Sequence, residues 1–352
     1  MNRSRIVLVV AGAAALATAA AGLVFLPRPT QLSEEATGDQ ALIDTVRERL
    51  ADLPGARDRV SVAVLDGSDT RVAHFGADDT TEYEIGSVTK TVTGSLFAEA
   101  IARGEVEATT TVGELLDLGD SPASGIRLEE LATQTSGLPA FPPTARMTAS
   151  AVLAQFRAGD PYPYTADELI AEARNVEIGP KEFLYSNLGM SLLGHAVAAA
   201  AGTDYATLAA DRVFTPLGMR ATTAPTSLAD LSPDAPTGRT NTGRPAAPWT
   251  LSGNAPAGSI RSNLADMTRY ARAQLDGSAP GADAGDPRVR LGENAEIGYA
   301  WITQNGVTWH NGGTGGFATW VGYDRSRDRA VVVLTSTASG VDDLGLALME
   351  VQ

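Results

Sequence analysis

The chain has 352 residues, of which 43% are hydrophobic and 20% charged, and this composition is typical of a folded globular protein. A formal net charge of −15 argues against a nucleic acid as partner. Three histidines and no cysteine argue against a metal site and exclude disulfides, so we expect neither a metal nor a cofactor.

The N-terminus contains an uncharged apolar stretch, residues 6–26, preceded by Arg3 and Arg5. The stretch is long enough to span a bilayer, and the arginines favour a cytoplasmic N-terminus. Small residues at 17–21 fit a signal-peptide cleavage site equally well. We therefore predict an exported protein, secreted or on the outer face of the cytoplasmic membrane. Residues 1–27 would be a signal peptide or a membrane anchor, and if uncleaved they would be the only segment that contacts the membrane. Residues 28–39 would be a linker, and residues 40–352 would be the folded domain.

The folded domain begins and ends with strand patterns. A helical pattern at 40–53 precedes an alternating segment at 59–65 and a return segment at 71–75, which predicts a helix and a β-hairpin. Near the C-terminus we predict strands at 298–304, 307–310, 318–323 and 330–336, then a closing helix at 341–351.

Helical patterns dominate between these ends. They predict a helix that opens at Ser87, others at 112–118, 128–133, 149–156, 166–173, 189–201, 205–213 and 264–275, and a long ordered loop at 227–258. Strands segregated from helices predict an α+β fold. Its sheet lobe would comprise about residues 40–86 and 290–352, and its helical lobe about 87–289.

Ser87 and Lys90 are three positions apart at the start of a predicted helix, so their side chains share a face. Lys90 is one of only two lysines, the other being Lys181. A buried lysine can lose its proton, whereas an arginine does not. Lys90 can therefore activate Ser87 as a nucleophile; alternatively, Ser87 only caps the helix.

Tyr185 and Asn187 lie just before another predicted helix, where side chains can point into a cleft. A phenol beside a lysine can shuttle a proton, and an asparagine amide can hold a substrate amide. The alternative interpretation is that Ser186 or Asn187 simply caps that helix.

His310, Gly312 and Gly313 belong to a glycine-rich stretch at the end of a predicted strand. Glycines let a ligand approach the backbone, and free N–H groups on an edge strand can bind an oxyanion or an acyl chain. The alternative is an ordinary turn between strands, with His310 at the surface.

In this order, Ser-x-x-Lys, Tyr-x-Asn and His-x-Gly resemble the three motifs of the serine β-lactamase and penicillin-binding DD-peptidase superfamily, specifically its class C-like branch. Segments 131–139, 216–219 and 257–262 are also similar to that branch, and the resemblance extends over about residues 40 to 340. It implies an α+β fold whose antiparallel sheet is built from both chain ends, flanked by helices, with a mainly helical inserted lobe.

The resemblance implies an acyl-enzyme mechanism in which Ser87 attacks the substrate carbonyl. Lys90 and Tyr185 would share the general-base role, with the first proton acceptor left open, and Tyr185 would protonate the leaving group. Asn187 would orient the acyl amide of the substrate.

Further substrate-binding roles follow from the same resemblance. The backbone N–H groups of Ser87 and Gly313 would form the oxyanion hole, with Gly312 beside it in the same motif. His310 would face the carboxylate end of the substrate, where many β-lactamases have a lysine. Asn311 replaces a threonine or serine that usually helps to hold the substrate carboxylate. This replacement favours ester and non-terminal amide substrates.

The leading functional prediction is a D-alanyl-D-alanine carboxypeptidase or β-lactamase-like hydrolase of peptide or β-lactam amide bonds. A carboxylesterase or acyl transferase on the same scaffold is the first alternative. A penicillin-binding sensor that is acylated without turnover is the second. The expected partner is accordingly a small peptide, β-lactam or ester substrate.

Overall fold

The structure is a computed structural model that describes residues 30–350. The predicted signal peptide or anchor at residues 1–27 lies outside the described residues, so export stays a prediction. Across residues 30–350, no helix combines the length and the apolar character that a membrane crossing requires.

Strands from both chain ends build the fold. Those described are β1 Ala36–Gly38, β2 Val60–Asp66, β3 Asp69–Phe75, β4 Tyr83–Glu84, β5 Arg261–Ser262, β6 Val289–Arg290, β7 Ala295–Ile297, β8 Ile302–Gln304, β9 Val307–Gly313, β10 Ala318–Asp324 and β11 Arg329–Thr335. Nine of them form one antiparallel sheet in the order β1, β3, β2, β11, β10, β9, β8, β7, β6. The last strand, β11, thus pairs with β2 from the beginning of the domain. Strands β4 and β5 form a separate pair.

Between residues 30 and 350, ten α-helices cover the sheet and fill the inserted lobe. They are α1 Gln40–Ala51, α2 Thr89–Ala102, α3 Leu128–Ala132, α4 Ala145–Arg157, α5 Ala166–Ala173, α6 Asn187–Ala200, α7 Tyr205–Ala209, α8 Ala255–Gly258, α9 Leu264–Asp276 and α10 Asp342–Glu350. The α+β prediction, with a helical lobe inserted between two parts of one sheet, is confirmed.

The central strands are buried on both faces because each face is covered by helices. In β11, Val331 and Val333 pack with α1 and α10, whereas Val332 and Leu334 pack with the helical lobe, including α2 and α9. Alternate residues of a strand point to opposite faces, so a strand between two helical layers is apolar throughout. Strand β11, Arg-Ala-Val-Val-Val-Leu-Thr, has such a sequence.

Several predicted elements differ from the structure. The predicted helix at 112–118 is wrong: only a 3-10 turn, Val112–Glu114, forms there, and the chain adopts a positive φ at Gly119. Of the strand predicted at 298–304, only residues 302–304 form a strand, β8, because Ala300 between β7 and β8 has a φ of +68°. The long loop at 227–258 contains α8, and residues 36–38 of the predicted linker form the edge strand β1.

Helix α10 packs its glycine against a buried tryptophan. A Cβ at Gly345 would lie well inside van der Waals distance of the Trp320 ring in β10, and Trp320 is fully buried. We predict that Gly345→Ala lowers the free energy of unfolding by about 1–3 kcal/mol, although alanine is the better helix former. Urea unfolding measures the change.

The matched control is Gly125→Ala, since a Cβ at Gly125 meets nothing within 4 Å. Its free energy of unfolding should stay within about 0.5 kcal/mol of wild type. Equal stability of Gly345→Ala and wild type would show that α10 does not pack on β10 as closely as described.

Candidate active site

Ser87 lies in a 3-10 turn, Gly86–Val88, that leads directly into α2. Gly86 has a φ of +51°, and a Cβ there would lie 2.6 Å from the backbone nitrogen of Gly313 at the end of β9. Only glycine therefore permits this approach of the two backbones. The N-cap of α2 is Val88, so Ser87 is not the capping residue of that helix.

Lys90 is fully buried beneath Ser87. Its Nζ lies 2.9 Å from Ser87 Oγ and 2.6 Å from the carbonyl oxygen of Ala257. Among the described residues Lys90 forms no ion pair, in contrast to Lys181, which pairs with Glu130 at 2.6 Å. Burial without a counter-charge lowers the pKa of Lys90 well below its usual value. The neutral amine, which can accept the Ser87 proton, is thereby favoured.

Tyr185 lies over the same lysine. The Lys90 Nζ is 4.9 Å from the centre of the Tyr185 ring. Burial raises the pKa of the Tyr185 phenol, and the Ser87 hydroxyl opposes this only in part. The phenol therefore keeps its proton at neutral pH, which suits a proton donor to a leaving group better than a first base.

His310 completes this group of side chains. Its ring centroid is 6.1 Å from that of Tyr185, and the side chain is buried, unlike the surface residue of the alternative interpretation. Burial and, to a smaller extent, the charge of Lys90 lower the pKa of His310 to about 3, so the ring is neutral at pH 7. Its Nδ1 donates to the backbone oxygen of Asn311 at 2.5 Å, which leaves Nε2 as an acceptor.

The start of α6 separates a capping residue from a candidate substrate-binding residue. Ser186 is the N-cap, because its Oγ accepts from the backbone of Gly189 at 2.9 Å. The capping alternative is therefore right for Ser186 and wrong for Asn187. The Asn187 amide instead donates to the hydroxyl of Tyr162 at 3.3 Å.

Asn311 points away from this group. Its amide donates to Asp342 at the start of α10 at 2.8 Å, on the opposite face of the sheet. Its neighbours Gly312 and Gly313 approach the turn that carries Ser87: a Cβ at Gly312 would collide with the backbone oxygen of Ile85. The Asn311 side chain therefore does not stand where it could hold a substrate carboxylate.

Residues 257–261 fix the nucleophile through backbone contacts that the sequence did not predict. Ala257 accepts from Lys90, and Ile260 exchanges two hydrogen bonds with residues flanking Ser87. Its oxygen accepts from the backbone of Ile85 at 2.9 Å, and its N–H donates to Thr89 Oγ1 at 3.1 Å. Backbone partners such as these have no residue-type signature, so only the similarity of segment 257–262 to the class C-like branch could have indicated them.

A buried ion pair holds the same segment in place. Arg261 Nη1 donates to Glu84 Oε1 at 2.8 Å across the β4–β5 pair, and both side chains are fully buried. Glu84 also accepts from the backbone of Trp249 at 2.9 Å. Burial raises the pKa of Glu84, while Arg261 opposes the rise. The pair links the chain just before Ser87 to the chain just after Ala257.

A second serine lies in a hydrogen-bonded series with a histidine and a carboxylate. Ser61 Oγ is 2.9 Å from His74 Nδ1, and His74 Nε2 is 3.2 Å from Asp79. Ser61, however, is fully buried in β2 and also bonded to the Tyr83 hydroxyl at 2.8 Å. A substrate cannot reach it, so this series joins strands rather than forming a second nucleophilic site.

The geometry thus brings Ser87, Lys90, Tyr185 and His310 together, with Asn187 on the adjoining helix. The arrangement provides a nucleophile, a desolvated amine as base and a protonated phenol as acid, which are the parts that acyl transfer through a serine ester requires. Within residues 30–350 there is no group of three or more side chains able to hold a metal ion.

Comparison with known proteins identifies the family. The family model described as Beta-lactamase matches residues 42–350. A "Beta-lactamase" of Providencia stuartii is 29% identical over 177 residues, 47% of this chain and 41% of that protein. A "Putative beta-lactamase-like 1" of Homo sapiens is 31% identical over 175 residues, 48% of this chain and 32% of that protein. The chain thus matches less than half the length of either curated relative.

Solved structures share the fold. A class C beta-lactamase mutant superposes with a TM-score of 0.73 at 16% identity, covering 88% of this chain and 97% of that one. A D-stereospecific amidohydrolase from Streptomyces sp. superposes with a TM-score of 0.72 at 21% identity, covering 89% and 98%. Because the family model spans most of the chain and the fold agrees, the protein belongs to the Beta-lactamase family.

Proposed function

We propose that the protein is a serine hydrolase that forms an acyl-enzyme on Ser87. The observation that carries this proposal is the position of Lys90, an unpaired and fully buried amine 2.9 Å from the serine hydroxyl. A lysine without a counter-ion in such a place costs folding free energy, and the cost is understandable where its neutral form is needed as a base.

The proposed reaction follows from the positions of these groups. Ser87 Oγ attacks the substrate carbonyl carbon while its proton passes to Lys90. The backbone N–H groups of Ser87 and Gly313 stabilise the resulting oxyanion. The C–N or C–O bond to the leaving group then breaks, and the leaving group takes a proton from Tyr185, which Lys90 can reprotonate. Water finally hydrolyses the serine ester and releases the acid.

The substrate class that the site supports best is an amide or ester that does not depend on a free carboxylate. The Asn311 amide is bound to Asp342, so it is not available as a hydrogen-bond donor to a terminal carboxylate, and the pKa of about 3 leaves His310 uncharged, so it supplies no cation. This favours the carboxylesterase or non-terminal amidase alternative over a strict D-alanyl-D-alanine carboxypeptidase. The fold shared with a D-stereospecific amidohydrolase is compatible with the amide class. We further propose, from residues 1–27, that the enzyme acts outside the cytoplasm.

The roles of Ser87 and Lys90 are tested together. Ser87→Ala should abolish covalent labelling by a fluorophosphonate or a fluorescent penicillin, since no other described serine adjoins the base. Lys90→Arg should slow labelling by about 100-fold or more, because a guanidinium keeps its proton and cannot act as the base. Intact-mass spectrometry measures the labelled fraction over time.

Lys181→Arg is the matched control, because it changes the other lysine, which is itself exposed, and an arginine can keep the pair with Glu130. That variant should be labelled at the wild-type rate. Labelling of Ser87→Ala at the wild-type rate would show that Ser87 is not the nucleophile. Near-normal labelling of Lys90→Arg would show that Lys90 is not the base.

Substrate preference is tested by comparing kcat/KM for p-nitrophenyl esters, an amide-blocked D-alanyl peptide and the same peptide with a free carboxylate. We predict turnover of the esters and the blocked peptide, with the free-carboxylate peptide at least about tenfold slower, because no cation faces its carboxylate. A clear preference for the free-carboxylate peptide would instead support the D-alanyl-D-alanine carboxypeptidase. A stable, unhydrolysed penicilloyl adduct with no turnover of any substrate would identify the sensor instead.

A further inference from the structure

A large cleft adjoins the candidate active site beyond Asn187. It has a volume of about 890 Å³, near the upper end of the range of small-molecule sites. Tyr162, which accepts the hydrogen bond from Asn187, forms part of its wall, and so does Gly315, two residues after Gly313. Through Tyr162 the wall of the cleft contacts Asn187, the candidate substrate-binding residue, and on another side the wall includes the turn that follows β9.

The wall of the cleft is apolar and carries no formal charge. Its lining includes prolines, alanines, aromatic rings and the amides of Gln155 and Asn241, but no aspartate, glutamate, lysine or arginine. In a chain with a net charge of −15, a concave surface of this size without a charged residue indicates a binding site for an uncharged group.

One side of the cleft is a preformed aromatic cluster. The ring of Tyr162 lies 5.7 Å from that of Phe141 and 5.7 Å from that of Trp249, nearly perpendicular to the latter. Trp249 is fixed by its ring N–H, which donates to Gly159 at 3.0 Å. Rings held in this way can contact an apolar group without first being ordered, which lowers the entropic cost of binding.

The other side is α4, whose apolar residues are left exposed. Met147 is the one buried residue of this helix, whereas Val152 on the cleft side is 54% exposed. Thr144 caps the helix, and Arg146 anchors it through a pair with Glu168 at 2.8 Å. An ordered helix that presents uncovered apolar side chains to a cleft has surface available for an apolar ligand.

The charges behind the wall disfavour an anion. The Asp160 carboxylate lies behind it, accepting backbone N–H groups of Tyr162, Thr250 and Leu251 at 2.9–3.0 Å. Arg244 donates to the backbone oxygen of Phe156 at the end of α4, so its guanidinium satisfies the helix terminus. A negatively charged substrate group in the cleft would lie near this carboxylate and would meet no cation in the lining.

We propose that this cleft binds the acyl side of the substrate and selects an uncharged apolar acyl group, such as a medium-length alkyl chain or an aromatic ring. This inference rests on the proposed acyl-enzyme function, because Asn187 holds the acyl part only if Ser87 is the nucleophile. Recognition is then set by apolar contact with α4 and the aromatic cluster, and an acyl chain that ends in a carboxylate is rejected.

The test is a series of p-nitrophenyl esters from acetate to octanoate. The kcat/KM should rise about threefold for each added methylene group, mainly through a lower KM, until the cleft is filled. An ester with a free carboxylate at the end of a six-carbon chain should react no faster than the acetate. A flat series, or equal rates for the charged and uncharged six-carbon esters, would overturn the proposal.

Two variants of α4 localise the effect. Ala151 lines the cleft, whereas Ala149 is an exposed residue of the same helix outside the lining. Ala151→Glu should remove most of the chain-length dependence, whereas Ala149→Glu should retain both the chain-length dependence and the wild-type acetate turnover. Identical behaviour of the two variants would count against the cleft.

A binding measurement separates this inference from the proposed function. Ser87→Ala should bind octanamide at least tenfold more tightly than acetamide in ligand-detected NMR, and Ala151→Glu in the same background should abolish the difference. If Ser87→Ala still turns over esters and keeps this binding preference, Ser87 is not the nucleophile, but the cleft still binds the acyl group. If the binding preference is absent while turnover depends on Ser87, only the proposal that the cleft selects apolar acyl groups is refuted.

Discussion

The site depends on one unfavourable placement, an amine removed from water with no carboxylate beside it. Burial of an ammonium group is costly, and proteins usually offset it with an ion pair. At Lys90 the described neighbours are the Ser87 hydroxyl, the Ala257 carbonyl and the face of the Tyr185 ring. These groups accept or tolerate a cation but do not neutralise it. The result is a lysine whose neutral form is within reach at ordinary pH.

The surrounding fold makes this placement possible. Strand β11 pairs with β2 and so joins the two ends of the chain in one sheet, which supports the turn at Gly86–Val88. The buried pair of Glu84 and Arg261 then fixes the strands that flank the nucleophile on one side and the Ala257 carbonyl on the other. Arg261 also pairs with Glu82 at 2.6 Å, so loss of Arg261 would leave the buried Glu84 without its cation, whereas loss of Glu84 would leave Arg261 with one carboxylate partner.

Local sequence signals predicted those parts of the structure that depend on neighbouring residues. The spacing of Ser87 and Lys90, the hairpin of β2 and β3 and the apolar strand β11 each follow from a periodicity or a short motif. Contacts between distant segments carried no such signal. The Ala257 carbonyl, the two-residue strands β4 and β5 and the outward direction of Asn311 depend on how the chain folds back, and a backbone oxygen has no residue type to recognise. The helix predicted at 112–118 failed because glycines at 113 and 119 interrupt the apolar pattern.

The central claim, that burial makes Lys90 a base, is most directly tested by NMR of protein carrying labelled lysine. Two lysines give two side-chain signals, and the Lys181→Arg variant leaves only that of Lys90. We predict a titration midpoint for Lys90 well below 10.5, because desolvation disfavours the charged amine. A midpoint at or above 10.5 would mean that Lys90 remains a cation at neutral pH and is not the base.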